Sequence, residues 1–150
     1  MNTNQLSGLT YEDFEDVTKG PILHHEPLTA KNMKIYALQA DDQVQAVETV
    51  GPYAPFVHKG SIQIIGPGGI NVKLDQPAKD LNFAMADPVD ATIQVTFYGP
   101  NDEMLASKQY ESKPEYGEWI KSPEGKTIKR FEIKCLTIRV YIDNFVMYVV

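Results

Sequence analysis

The sequence has a single cysteine, so it can form no internal disulfide. Cys135 lies within a run of alternating apolar residues, where a thiol behaves as a small buried hydrophobe. Clustered Lys and Arg are also lacking. The net charge of -6 over 150 residues argues against a protein that displaces counterions from a phosphate backbone, so nucleic acid is not an expected partner. There are three histidines, at 24, 25 and 58. His24 and His25 are adjacent and point to opposite sides of an extended strand, so they cannot share one metal ion. No nucleophile-elbow pattern is present, and the scattered histidines suggest no catalytic triad. Gly66-Pro67-Gly68-Gly69 is followed by neither a Lys-Ser/Thr pair nor a helix, so it reads as a turn and not as a phosphate cradle. No apolar run approaches membrane length, and no membrane insertion is expected. The first residues, MNTNQLSGLTYEDFED, have neither a basic start nor an apolar stretch. With no visible signal peptide the default location is the cytoplasm; the alternative is an extracellular or periplasmic protein with a removed leader or another export route.

What is present is alternation. Apolar residues amount to 43% of the chain and charged residues to 23%, ordinary for a globular protein of one domain spanning residues 1–150. No segment holds a helical period, and no repeat or low-complexity tract interrupts the chain. Ile93-Val95-Phe97, Phe131-Ile133-Cys135 and Leu136-Ile138-Val140-Ile142 recur at a period of two, the signature of strands with one face on a core. Turn signals fall between them at short intervals. Strands are expected over 9–17, 33–38, 44–50, 61–65, 70–74, 81–85, 91–98, 104–111, 119–120, 127–135 and 137–150, with residues 21–33 as a connecting loop. Gly51 to Pro55 is expected to be irregular because it holds two prolines. Gly66 to Gly69 should close a hairpin between 61–65 and 70–74, and Gly99-Pro100-Asn101-Asp102 a second between 91–98 and 104–111. The implied fold is all-β: a two-sheet antiparallel β-sandwich or jelly roll with its first and last strands adjacent.

The order of several short motifs strengthens this reading. They are Phe14-Glu15-Asp16, Lys59-Gly60-Ser61, Ile64-Ile65-Gly66-Pro67-Gly68-Gly69-Ile70-Asn71-Val72, Leu74-Asp75-Gln76-Pro77-Ala78 and Leu81-Asn82-Phe83. Tyr98 to Asp102, Trp119, Thr127 to Ile133 and Tyr141-Ile142-Asp143-Asn144-Phe145 follow. Together they resemble the galactose-binding-like β-sandwich, the jelly roll shared by many carbohydrate-binding modules, over Phe14 to Phe145. Residues 21–60 align with nothing in that pattern. The resemblance implies a structural Ca2+ bridging the first and last strands, with Glu15 and Asp143 as carboxylate ligands and Glu12, Asp13, Asp16 and Asn144 available to complete the shell. The competing reading of these acids is solvated charge that guards a sheet edge.

Sugars present apolar C–H faces, so a binding site pairs flat rings with a few fixed polar groups. Two loop-like stretches offer this: Tyr53 and Phe56 with His58, and Tyr116 and Trp119 with Glu115 and Glu118. The alternative for Trp119 is to cap the core. The expected function is a non-catalytic binding module, for carbohydrate on a surface or extracellular polymer. The alternative is a structural or protein-interaction domain of a surface or secreted assembly, with no small-molecule ligand. A glycosidase would need two carboxylates at a defined separation, which sequence does not give.

Overall fold

The computed structural model describes residues 8–48, 56–114 and 116–150. Among these residues there are twelve strands and no helix. They are β1 (Gly8–Glu12), β2 (Gly20–Pro21), β3 (Leu28–Ala30), β4 (Met33–Ala37), β5 (Val44–Glu48) and β6 (Gly60–Ile65). Then come β7 (Gly69–Ala86), β8 (Ala91–Tyr98), β9 (Met104–Ser112), β10 (Gly117–Lys121), β11 (Ile128–Cys135) and β12 (Arg139–Val149). Every pairing is antiparallel. Tyr53 and the irregular 51–55 segment, the end of the expected 44–50 strand, and Glu115 lie outside the described residues.

The sandwich is organised by β7, which is 18 residues long and serves both layers. Its first part, from Gly69 to Leu74, pairs with β4 on one side and β11 on the other. Its last part, from Ala78 to Ala86, pairs with β10 and β12. One layer is therefore β3–β4–β7–β11–β8–β9. The other is β10–β7–β12–β6–β5–β2, with β1 taking the place of β6 beside the second half of β12. The expected adjacency of the first and last strands is found, from Gly8 opposite Val149 to Glu12 opposite Phe145.

Sequence reading divides β7 into strands at 70–74 and 81–85, because Asp75 to Asp80 is polar and contains Pro77. The backbone is instead continuous, and Asn32 makes that possible. Its amide nitrogen donates to Gln76 O at 2.9 Å, and its side-chain oxygen accepts from Gln76 N at 2.8 Å. Asn32 O also accepts from Asp75 N at 2.9 Å, and Pro77 O accepts from Val150 N at 3.0 Å. Pro77 has no N–H to leave unpaired at the handover between layers.

The hairpin expected at Gly66 to Gly69 is not formed. β6 pairs with β5 and β12, while the start of β7 joins the opposite layer. Gly66 donates to Ile138 O at 2.9 Å, and a Cβ there would fall 1.7 Å from Thr137 O, so close backbone approach requires glycine. Turn chemistry fits a crossover between layers as well as a hairpin; distant partners decide between them. The second expected hairpin, β8 to β9 through Gly99 to Asp102, is present, with Asp102 at φ 61°.

Three further expectations are corrected. The strand expected over 9–17 stops at Glu12, because Phe14 turns into the left-handed region at φ 58°. Residues 21–33 carry the short strands β2 and β3 as well as loop. Leu136 and Ile138 are exposed, at 48% and 72%, because 136–138 is the bend between β11 and β12 and the alternation does not run through it. Ile93, Val95, Phe97, Phe131, Ile133, Cys135, Val140 and Ile142 are buried as expected.

A phenylalanine cluster joins the layers. The Phe131 ring of β11 lies 6.0 Å from Phe83 of β7 and 5.8 Å from Phe145 of β12, and Phe83 and Phe145 are 5.1 Å apart. Phe14 meets Phe145 edge-on at 5.5 Å. Cys135 is fully buried near Thr137, and burial pushes its thiol up.

Phe145→Ala should cost about 3–5 kcal/mol, the usual range for emptying an aromatic core position. Leu136→Ala should stay within about 0.5 kcal/mol, as an exposed substitution does. Urea denaturation of the two variants checks both values, and similar losses would contradict this description of the core and bend.

Candidate functional site

The two carboxylates singled out for calcium are drawn to one segment of chain. Partway along β12 the neighbour changes from β6 to β1, and Asn144 takes φ 55°. Asp143 is fully buried there; it accepts His58 N and Asn144 N, each at 2.7 Å. Glu15 accepts Gly60 N. The Asn144 side chain donates to Phe56 O at 2.7 Å and accepts from Tyr11 OH. These bonds tie residues 56–60 to Glu15 and to β12. Glu12 is engaged in the same way, accepting Phe14 N and Lys31 N, each at 2.8 Å. Among the described residues no group of three or more His, Cys, Asp or Glu converges to hold a metal. The donor set does not fit a calcium cage of many oxygens. His58 belongs to this junction, its ring 3.9 Å from the Asp143 carboxylate.

The aromatic residues are brought together in part. Phe56 and Trp119 form a tilted pair with centroids 5.7 Å apart, and Trp119 is 38% exposed. Their contact depends on small residues: a Cβ at Gly117 would fall 2.1 Å from Phe56 Cγ, and Gly117 and Trp119 of β10 face Ala86 and Ala84 of β7. Tyr116, just before β10, is 71% exposed. Glu118 is exposed but alternates with Trp119, so the strand directs the two to opposite sides. Sequence reading passed over what lies beside Trp119. Across the layer, Gly117, Ala86, Tyr141, Gln63 and Gln45 stand opposite one another in register. Gln45 donates to the Gln63 side-chain oxygen at 2.7 Å, and Gln63 donates to Tyr141 OH at 3.1 Å.

The outer face of the other layer is a second polar surface that sequence reading did not select. On β4, β7, β8 and β11 the buried positions alternate with outward ones. One row is Tyr36, Asn71, Glu132, Thr96 and Ser107; the next is Lys34, Lys73, Arg130 and Tyr98. Arg130 is held on three sides: over the Tyr98 ring at 3.7 Å, by Asp102 at 2.5 Å and by Glu132 at 2.9 Å. The bond to Asp102, then that to Glu132, holds the guanidinium pKa above its ordinary value, and the same contact lowers that of Asp102. Lys73 lies over the Tyr36 ring at 5.0 Å. Gln94 donates to Ser107 Oγ at 2.7 Å, and Thr96 and Ser107 hydroxyls are 2.9 Å apart. In the centre, the side-chain oxygen of Asn71 is buried without a hydrogen-bond partner. A buried acceptor without a partner carries a desolvation cost. The available signal was the phase between the core residues.

No family model matches the sequence, and neither does any curated protein. Solved structures do match in shape. A family 29 carbohydrate-binding module, in a lysine-to-alanine variant used to probe ligand recognition, aligns with TM-score 0.52 and 12% identity, over 87% of this chain and 91% of that one. A tyrosine-to-alanine variant made for the same purpose gives 0.50 and 12%, with the same coverages of 87% and 91%. An arabinose-bound α-L-arabinofuranosidase gives 0.55 and 10%, over 98% of this chain but 27% of the enzyme. The fold is that of a carbohydrate-binding-module β-sandwich.

Two measurements test the acidic junction. Burial, reinforced by the Glu15 and Asp13 charges and opposed by the two amide donors, pushes the Asp143 carboxyl from 3.8 up to about 7. Between those values the folded state keeps a proton that the unfolded chain has released, so this group's contribution to stability falls as pH rises from 3.8 towards about 7. Asp143→Asn should flatten that slope in urea denaturation at a series of pH values. Thermal melts in calcium and in chelator should coincide, since a ligand that binds only the native state would raise the midpoint.

Proposed function

We propose that the protein is a non-catalytic carbohydrate-binding module whose main site is the outer face of β4, β7, β11 and β8. The observation that carries this reading is the row of fixed polar side chains on that face: Lys73 over the Tyr36 ring, and Arg130 over the Tyr98 ring between Asp102 and Glu132. A sugar offers hydroxyls that donate and accept at once, and here fixed donors and acceptors stand side by side. Arg130 is already matched by two carboxylates, so the face offers directed N–H groups more than net charge. That favours a polyhydroxylated ligand over a phosphate. Immobilising Arg130 on Tyr98 before binding also limits the rotamer entropy lost to a ligand. The family 29 modules supply support by likeness: their ligand recognition was probed at a lysine and a tyrosine, residue types that meet here at Lys73 and Tyr36.

A glycan array should show binding, and the ligand it identifies can then be titrated against variants. Arg130→Ala and Tyr36→Ala should each lower affinity by about 1–3 kcal/mol, the range for anchor residues of a site. Asn71→Ala should leave the melting temperature unchanged or higher, because it deletes an unpaired buried acceptor. An array with no signal, or variants that bind as well as the parent, would turn the reading towards a protein-interaction domain.

A further inference from the structure

We infer a second glycan-binding face on the opposite side of the sandwich, running from Trp119 across Tyr141, Gln63 and Gln45. This inference rests on the reading of the protein as a carbohydrate binder. The inner sides of both layers pack on one core, so their outer faces point away from each other. A single site cannot include both.

The chemistry of this second face is complete in itself. Trp119 offers an exposed ring, steadied by Phe56, at one end. Tyr141 packs against Val57 and Ala86 beside it, so an aromatic surface continues inward from the edge strand. The Gln45–Gln63–Tyr141 chain then presents amide and phenol groups held in fixed order by their own hydrogen bonds. The row ends at a cleft of about 420 Å³, whose lining includes Pro21, Leu23, Gln45, Gln63 and Ile65. From β10 to β5 is four strand spacings, roughly 19 Å, the span of a short oligosaccharide. Charge selects the occupant. Arg139, above the Tyr141 ring, is paired with Asp87 at 2.8 Å, the Asp42 carboxylate in the cleft lining accepts the Gln39 and Gly69 amides, and the amide chain is uncharged. The complement of a neutral row of donors and acceptors beside apolar rings is a neutral sugar chain, whose hydroxyls meet the amides and whose C–H faces meet the rings. With two outward faces, one molecule would bridge two polysaccharide chains.

Trp119 is the sole tryptophan, so intrinsic fluorescence reports this face directly. The probes are neutral hexasaccharides of the β-glucan, mannan and xylan types, titrated into the parent protein, Arg130→Ala, Trp119→Ala and Trp119→Phe. Thermal melts confirm that each variant is folded. The expected result is a saturable change in tryptophan emission that persists in Arg130→Ala, with calorimetry giving two sites in the parent and one in Trp119→Ala. Trp119→Phe should restore part of the second site, because it keeps a ring. Affinity at this face should fall at least tenfold in Trp119→Ala. Calorimetric binding that Arg130→Ala abolishes, without any emission change, would overturn the second face and leave the proposed function standing. Silence in both measurements would overturn both.

Discussion

The structure depends on the need to keep a long strand paired while it changes layers. β7 gives its first part to one sheet and its last part to the other, and at the crossing its neighbours are no longer in register to serve it. Asn32 fills that gap by offering Gln76 one donor and one acceptor, as a strand residue would. The proline one residue later has no donor to satisfy. With the crossing settled, β4 and β11 are fixed on one layer, and β10 and β12 on the other. Both outer faces inherit their register from this single strand: Asn71 and Lys73 lie before the crossing, and Ala84 and Ala86 lie beyond it.

A second junction lies partway along β12. β12 exchanges β6 for β1 as its neighbour, and the backbone groups of residues 58 and 60 that border the exchange find carboxylates instead of carbonyls. This explains why acidic residues cluster near the first and last strands: there they accept backbone N–H groups. It also ties the Phe56 segment to the sheet, because Asn144 holds the Phe56 carbonyl. The position of the Phe56 ring against Trp119 is thus linked to a buried acid two strands away, so integrity of the fold and shape of the surface meet in the same hydrogen bonds.

The fold class was legible because burial imposes a period of two, and Ile93-Val95-Phe97 and Phe131-Ile133-Cys135 carry that period without interruption. Pairing was legible only where it was local. Gly99 to Asp102 joins strands that are neighbours in sequence and in space; Gly66 to Gly69 has equally good turn chemistry but connects strands whose partners lie about 70 residues away along the chain, at β12 and β11. Nothing within the turn encodes that choice. Leu136 and Ile138 show the converse error, since a period read through a bend assigns inward positions to residues that have already left the strand.

The candidate sites were hidden for a related reason. Trp119 and Phe56 attract notice by size and loop context, and the structure does bring them together. Tyr36, Asn71, Arg130 and Glu132 look like ordinary solvent-side residues when each strand is read alone, because alternation of polar with apolar residues is what any half-buried strand shows. They become a surface only when register aligns β4, β7 and β11, and their charges are seen to cancel only in that arrangement. An isolated Arg130 would suggest an anion; Arg130 stacked on Tyr98 and bounded by Asp102 and Glu132 presents a rigid hydrogen-bonding edge with little charge left to attract one. The same cancellation occurs at Arg139 with Asp87 on the far side. On the proposed carbohydrate-binding reading, discrimination on both faces comes from the placement of hydroxyl partners and from ring contact, which are short-range terms that a neutral, repeating polymer satisfies along its length.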